Sequence, residues 1–126
     1  MSKRILIIDD DPDLVEAVSM LLEAAGMTPL AAYGGIEGLA KAKSEDPDLI
    51  VLDVMMPDKD GYAVAKELAK DEKLSSIPLI MLTAVVDHIG TTHYSHQDGK
   101  ELVADEFFQK PVDPEALVAR ILELVH

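Results

Sequence analysis

The chain has 126 residues and 48% hydrophobic content, which predicts a single domain over residues 1–126 with one core and no length left for a second domain. Its 24 acidic residues against 11 Lys and Arg give a net charge of −13, which excludes the basic surface of a nucleic-acid-binding protein, so no direct nucleic-acid contact is expected. The absence of cysteine from the sequence excludes disulfides, thiolate nucleophiles and cysteine-bound zinc.

The N-terminus carries no signal for export or membrane insertion. In MSKRILIIDDD the apolar run covers only Ile5 to Ile8 and ends in three acids, far short of a signal-peptide core. No apolar segment approaches the roughly 20 residues of a membrane span. We therefore expect a soluble, cytoplasmic protein with no membrane partner.

Short apolar runs alternate with segments of helical period, the pattern of a parallel sheet covered by helices on both faces. In chain order the predicted elements are a strand at Arg4–Ile8, a helix from Pro12 to the stop signal Gly26, a strand at Thr28–Ala32, a helix at Ile36–Lys43, a strand at Leu49–Leu52, a helix at Tyr62–Lys70, strands at Leu79–Leu82 and Glu106–Gln109, and a last helix from Pro114. Asp11 and Asp113 are expected to cap the first and last helices. The more polar strand EFFQ is expected at an edge of the sheet.

The segment between Ala84 and Val103 has no clear period. It contains Gly90, Gly99, several hydroxyl residues and three histidines, and we expect a long loop followed by a short helix.

Ligands of a doubly wound parallel sheet bind beyond the carboxyl ends of its strands, so the residues that follow the strands are candidates for a site. In chain order these residues are Asp9, Asp10, Asp11, Asp53, Thr83, Lys110 and Pro111. Unit charges 4 Å apart repel by about 1 kcal/mol in water and about 4 kcal/mol at an effective dielectric of 20. One lysine cannot balance at least three acids, whereas Mg²⁺ binds to carboxylates and phosphate oxygens together.

Such a site suits phosphoryl transfer to a carboxylate. We assign Asp53 as the nucleophile that forms an aspartyl-phosphate. Asp9 and Asp10, with Asp53 itself, are assigned as ligands of the metal. Lys110 is assigned to the phosphoryl oxygens and Thr83 to the hydroxyl that senses them. Such a chain catalyses only its own phosphorylation and dephosphorylation, and in that sense it is not an enzyme.

The blocks IIDDD, VLDVMMPDKDG, IMLTA and FFQKP stand in this order after the predicted strands. Together they resemble the signature blocks of the receiver domain of two-component response regulators, over essentially the whole chain. The resemblance implies a flavodoxin-like, doubly wound five-stranded parallel sheet of order 2-1-3-4-5 flanked by five helices. It also implies phosphorylation by a sensor histidine kinase or a phosphotransfer protein. Because the chain has no length left for a second domain, we expect a stand-alone receiver without an output domain.

Further roles follow from the same resemblance. Met55 matches the position whose backbone carbonyl completes the metal ligands, and Thr83 matches the switch hydroxyl. Phe107 falls where relatives have a switch aromatic, and the Lys110–Pro111 bond is expected to be cis. Signalling to a downstream protein would use the face formed by the short helix expected between Ala84 and Val103, the fifth strand and the last helix. A homodimer would use the same face.

Several residues keep simpler interpretations. Asp53 alone could cap a turn, Asp11 is best explained as the helix cap, and Pro57 with Gly61 shapes the loop above the site. Phe107 could be a sheet-edge aromatic that packs on the last helix. The histidines His88, His93 and His96 lie in the segment Val85 to Leu102, which makes the stretch from Thr83 to Lys110 longer than in relatives, and they are best explained as part of a solvated loop.

The lifetime of a phosphoryl group would depend on positions two residues beyond Asp53 and Thr83. These are Met55 and Val85, both apolar, where some relatives place polar side chains that orient the attacking water. We hypothesise a long-lived phosphoryl bond.

Three other functional classes fit the sequence less well. A phosphorylation-independent binding module of the same fold would not need the acids, Thr83 and Lys110. A phosphatase of the haloacid dehalogenase type has a second acid two residues after the nucleophile, where this chain has Met55. A flavodoxin-like flavin protein needs a hydroxyl-rich loop after the first strand, where this chain has acids.

Overall fold

The structure is a computed structural model that describes residues 2–83 and 104–125. In chain order its elements are β1 (Arg4–Ile8), α1 (Pro12–Ala24), β2 (Thr28–Ala32), α2 (Gly35–Glu45), β3 (Leu49–Asp53), α3 (Gly61–Lys70), a 3-10 turn (Leu74–Ser76), β4 (Leu79–Thr83), β5 (Glu106–Gln109) and α4 (Pro114–Val125). The five predicted strands are confirmed, and β3 and β4 each extend one residue further than predicted, to Asp53 and Thr83.

The strands form one parallel sheet in the predicted order β2-β1-β3-β4-β5. The sequence predicted five helices, and the described residues contain four α-helices besides the 3-10 turn. The predicted short helix before β5, together with the histidines and Val85, lies within residues 84–103, outside the described part of the chain.

Alternation along the buried strands divides the core between the two faces of the sheet. On one face, Leu6, Ile50 and Met81 pack with the apolar residues of α2 and α3. On the other face, Ile7, Val51 and other strand residues pack with those of α1 and α4. Strands buried on both faces must be apolar throughout, which explains the continuous apolar runs in the sequence.

The predicted caps of the first and last helices are confirmed. The Asp11 carboxylate accepts from Asp13 N–H at 3.0 Å, and the Asp113 carboxylate accepts from Glu115 N–H at 3.1 Å. Gly26, with a positive φ of 85°, takes the left-handed conformation after α1 that a side chain would disfavour. Proline at the first helical position and an acid before it therefore set where both helices begin.

Two carboxylates bind neighbouring strands at the amino edge of the sheet, which is where the amino ends of the parallel strands lie. Asp48 N–H donates to Arg4 C=O at 2.7 Å, and Arg4 N–H donates to the Asp48 carboxylate at 2.8 Å. Asp105 makes the same two bonds with Leu79, each at 2.8 Å. Because both bonds join the same two residues, each pair fixes the register of neighbouring strands at the amino edge.

No helix among residues 2–83 and 104–125 is both long and apolar enough to cross a bilayer.

Gly38 marks where α2 lies closest to the sheet. A β-carbon at this position would lie 2.6 Å from two side-chain carbons of Ile8, which is fully buried. We expect Gly38→Ala to lower the free energy of unfolding by about 1–2 kcal/mol, because overpacking costs about 1–3 kcal/mol and the gain in helix propensity is about 1.

Urea unfolding of the two proteins measures this difference. The matched control is Ser44→Ala on the exposed side of the same helix, which we expect to leave stability unchanged or slightly higher. Equal or greater stability of Gly38→Ala would contradict the close packing of α2 on β1.

Candidate functional site at the carboxyl edge of the sheet

Two carboxylates are buried side by side where β1 and β3 end. Asp9 is 0% exposed and Asp53 is 1% exposed, although both are acids. Asp9 N–H donates to Ala32 C=O at 3.0 Å, and Asp53 pairs with Leu82 of β4. The apolar strands therefore hold both acids at fixed positions on the edge of the sheet.

Each carboxylate has one oxygen that is bonded to the following turn. Asp11 N–H donates to Asp9 Oδ1 at 2.9 Å, and Met55 N–H donates to Asp53 Oδ1 at 3.3 Å. The turn-capping interpretation of Asp53 is thus correct for one oxygen. In the described part of the chain, Asp53 Oδ2 is buried and accepts no hydrogen bond, a costly arrangement for an ionised group. Asp9 Oδ2 is buried as well, and its neighbour there is the ammonium group of Lys110.

Lys110 is the cation that lies between the two acids. Its Nζ is 3.1 Å from Asp53 Oδ1 and 3.3 Å from Asp9 Oδ2. Lys110 N–H donates to Thr83 C=O at 2.6 Å, which places the lysine directly after β5, and the bond to Pro111 is cis as predicted. One ammonium group is shared by two buried carboxylates.

The pKa of each of these three groups is raised, chiefly by burial for the two acids and by the charges of the acids for the lysine. Burial, followed by the charge of Asp9, raises the pKa of Asp53 to about 6 against the opposing attraction of Lys110. Burial also raises the pKa of Asp9 above its ordinary value. Burial lowers the pKa of Lys110, but the charges of Asp53 and Asp9 more than reverse this, so its pKa is raised. The site holds more negative charge than its lysine neutralises.

Asp10 adds a third carboxylate at the exposed rim. One oxygen each of Asp9, Asp10 and Asp53 lies within 4.8 Å of the others. All three donors are hard oxygens, and two of the residues have buried oxygens without a hydrogen-bond partner. Residues of this kind fit a small divalent cation such as Mg²⁺. The sequence predicted this group of three, and Asp11 is outside it, as its role as helix cap implied.

Thr83 lies beside Gln109 in register at the end of β4 and is buried. It is joined to Lys110 through the backbone bond described above. The side chain of Met55 is 58% exposed at the rim of the site. The predicted residues Asp9, Asp10, Asp53 and Lys110 are therefore in contact or close together, with Thr83 on the adjoining strand.

Phe107 lies apart from this group on the edge strand and is 41% exposed. The interpretation that Phe107 packs on the last helix is wrong for the residues that the structure describes. Phe107 pairs with Met81, whereas Phe108 pairs with Leu82, whose face of the sheet carries α1 and α4. Phe108 is thus the aromatic that packs against α4.

Two residues between Asp53 and the first turn of α3 have roles that sequence reasoning missed or understated. Gly61 lies so close to β3 that a β-carbon there would overlap the backbone carbonyl oxygen of Asp53. Asp58, for which no role was predicted, accepts hydrogen bonds from the first turn of α2. The available signal was that α2 starts with Gly34 and Gly35 and has no capping side chain of its own, so a cap from elsewhere was needed.

The fold and the site together define a doubly wound α/β protein with a buried acidic pair, a shared lysine and an exposed third acid at the carboxyl edge. The sequence matches the family described as the response regulator receiver domain over residues 5–122. The chain belongs to this family, the receiver domains of two-component response regulators.

Curated relatives agree with this assignment. The chain is 43% identical over 122 residues to the DNA-binding dual master transcriptional regulator RpaA of Synechocystis, with 97% of this chain and 48% of the relative covered. It is 40% identical over 121 residues to the alkaline phosphatase synthesis transcriptional regulatory protein PhoP of Bacillus subtilis, with coverages of 96% and 48%. The chain thus spans about half the length of these relatives. Their names do not support the expectation of no direct nucleic-acid contact, which stays a prediction for these 126 residues alone.

Solved structures show the same fold over nearly the whole chain. The CheY-like receiver domain protein of Methanospirillum hungatei has a TM-score of 0.82 and 31% identity, with 98% of this chain and 93% of that chain covered. The chemotaxis response regulator CheY4 of Vibrio cholerae has a TM-score of 0.83 and 29% identity, with coverages of 98% and 99%.

The raised pKa of Asp53 predicts that removing the charge of this carboxyl stabilises the folded protein, by an amount that depends on pH. The pKa rises from 3.8 to about 6 on folding, so the folded state binds the proton more tightly. The stability due to this carboxyl is therefore fully present below about pH 4 and is lost as the pH rises through about 6. We expect Asp53→Asn, which resembles the protonated acid at every pH, to be more stable than wild type by up to about 3 kcal/mol above about pH 7.

Urea unfolding of both proteins between about pH 4.5 and 7.5 measures the difference in their free energies of unfolding. Asp53→Asn should be the more stable protein, and the difference should become smaller towards acidic pH. Glu23→Gln removes one exposed negative charge far from the site and serves as the control for net charge. A stability gain that is the same at all pH values, or that equals the gain from Glu23→Gln, would contradict the strained acidic pair.

Proposed function

We propose that the chain accepts a phosphoryl group on Asp53 in a Mg²⁺-dependent reaction, from a sensor histidine kinase or a phosphotransfer protein. The observation that carries this proposal is the pair of buried carboxylates, Asp9 and Asp53, which share the ammonium group of Lys110 and leave Asp53 Oδ2 without a hydrogen bond. Membership of the receiver family supports the same reaction class. The chain would catalyse only its own modification.

Asp53 fits the role of nucleophile. With a pKa of about 6 it is mostly ionised at neutral pH, so its oxygen carries the electron pair that attack on phosphorus requires. An oxygen of Asp53 forms the new bond to phosphorus while the bond from phosphorus to the donor's leaving group breaks, and the leaving group takes that electron pair. The product is an acyl phosphate on β3.

The other site residues stabilise the charge on the transferred group. Asp9, Asp10, Asp53 and the backbone carbonyl of Met55 would hold Mg²⁺, which supplies positive charge to the phosphoryl oxygens. Lys110, now between Asp9 and Asp53, donates hydrogen bonds to one phosphoryl oxygen, and the Thr83 hydroxyl bonds to another. Positioned charge of this kind is the main contribution that proteins make to phosphoryl transfer.

Signalling would then follow from a population shift in the surface next to β5. The backbone bond from Lys110 to Thr83 connects the two residues that contact the phosphoryl group with β4 and β5. Phe107, 41% exposed on β5, gives this surface an apolar residue. A downstream protein is the proposed partner for that surface, and the homodimer stays a prediction.

Incubation with acetyl phosphate and Mg²⁺, followed by intact-mass measurement, tests the assignment of Asp53. We expect wild type and the control Glu23→Gln to gain the mass of one phosphoryl group, with no gain when Mg²⁺ is chelated, because the buried acids then lack their counter-charge. Asp53→Ala should gain none. A gain that persists in Asp53→Ala, or is absent from every protein, would overturn the proposal.

Met55 provides a test of phosphoryl lifetime. Its exposed side chain lies at the rim of the site, where an amide could hold a water molecule near phosphorus. We expect Met55→Asn to speed dephosphorylation by about three- to tenfold, because a positioned nucleophile reacts faster than a free one. The rate is measured from the loss of the phosphorylated mass after the donor is removed.

Met20→Asn is the matched control, since Met20 is 63% exposed in the middle of α1, away from the site. The same decay rate in wild type and Met55→Asn, or equal acceleration in both variants, would contradict a role for Met55 in water access.

A further inference from the structure

The first turn of α2 is capped by a residue from a different part of the chain. Gly34 occupies the N-cap position and offers no side chain. Instead, Gly35 N–H donates to Asp58 Oδ1 and Ile36 N–H donates to Asp58 Oδ2, each at 3.0 Å. These N–H groups lower the pKa of the Asp58 carboxyl, so it is charged when it makes these bonds. A charged acceptor at the positive end of a helix makes the stronger class of hydrogen bond.

Asp58 belongs to the loop of residues 54–60, which leads directly out of the site. At its start, Met55 N–H donates to Asp53 Oδ1, and at its end Gly61 N–H donates to Val54 C=O at 2.9 Å. Gly61 also lies against the backbone of Asp53. The loop is therefore tied to β3 at both ends, and its middle is tied to α2 through Asp58.

The contact between this loop and α2 is close as well as hydrogen-bonded. A β-carbon on Gly35 would lie 2.8 Å from the β-carbon of Lys59, and one on Gly34 would lie 2.8 Å from Asp58 Oδ2. The two glycines are what allow the loop to reach the helix. Two independent features, the paired bonds and the absence of side chains opposite them, thus join the loop to α2.

We propose that Asp58 is a positioning residue for the phosphoryl-accepting site, because it fixes the loop that carries Met55 against the start of α2. The inference rests on the proposed function for its reaction and goes beyond it by naming a residue that does not contact the reacting groups. It also connects the site with α2, on the face of the sheet opposite to α4. Coupling of this kind is reciprocal, so what binds at the site alters the first turn of α2 as well.

Four variants test the proposal. Asp58→Ala removes both bonds, and Asp58→Asn keeps one acceptor oxygen and should restore part of the effect. Gly34→Ala disturbs the same contact from the α2 side, because the added β-carbon displaces the Asp58 carboxylate. The backbone at Gly34 is extended (φ −165°), so it accepts alanine without strain. Asp71→Ala is the matched control, because Asp71 accepts from Lys73 N–H at 2.9 Å and Leu74 N–H at 3.0 Å beyond the far end of α3.

Two measurements separate positioning from folding. The first is the Mg²⁺ concentration that half-saturates the backbone amide shift of Met55 by nuclear magnetic resonance, in unphosphorylated protein. We expect it to rise on the order of tenfold in Asp58→Ala and Gly34→Ala, less in Asp58→Asn, and not in Asp71→Ala, as for other residues that orient metal ligands. The second is hydrogen exchange at the Gly35 and Ile36 amides of wild type, which should slow when Mg²⁺ is added.

Equal Mg²⁺ affinity in Asp58→Ala and Asp71→Ala, or amides of α2 that do not respond to Mg²⁺, would overturn the proposal. If Asp58→Ala fails to fold, Asp58→Asn and Gly34→Ala still decide it by the same measurement. Failure of wild type to be modified by acetyl phosphate would overturn the proposed reaction alone, since Mg²⁺ binding and exchange at α2 are measured without it.

Discussion

The contact of the Lys110 ammonium group with Asp9 and Asp53 is the interaction on which the rest of the site depends. Two carboxylates that are almost without solvent exposure share one cation, at 3.3 and 3.1 Å. Without Lys110, two charges of the same sign would be buried side by side, and with it the balance is still negative. This excess of negative charge is kept at a fixed position by the apolar strands, by the N–H groups of the turns and by the bond from Lys110 to Thr83.

Much of the fold and of the acidic site was predictable because their signals are local. Apolar runs, each followed by an acid, a hydroxyl or a lysine, mark where strands end, and the ends of parallel strands meet at one edge. This is why Asp9, Asp10 and Asp53 were identified together with Lys110. Pro12 and Pro114, each preceded by an acid, fixed the starts of two helices for the same reason.

Other features depend on how separate elements approach one another, and the sequence does not encode them locally. The cap of α2 comes from Asp58, more than twenty positions along the chain, so neither helical period nor a capping pattern could locate it. Which of Phe107 and Phe108 faces α4 follows from the pairing of β5 with β4, since a shift of one residue exchanges the faces. Both cases required the assembled sheet.

The two edges of the sheet differ in how completely their polar groups are bonded. At the amino edge, Asp48 and Asp105 close reciprocal pairs of bonds with Arg4 and Leu79. At the carboxyl edge, Asp53 and Thr83 end their strands, and Asp53 Oδ2 is buried without a hydrogen-bond donor in the described part of the chain. Substitutions just beyond the carboxyl ends of the strands can therefore change the charge of the site while strand register is preserved, whereas substitution of Asp48 or Asp105 removes bonds that fix the register.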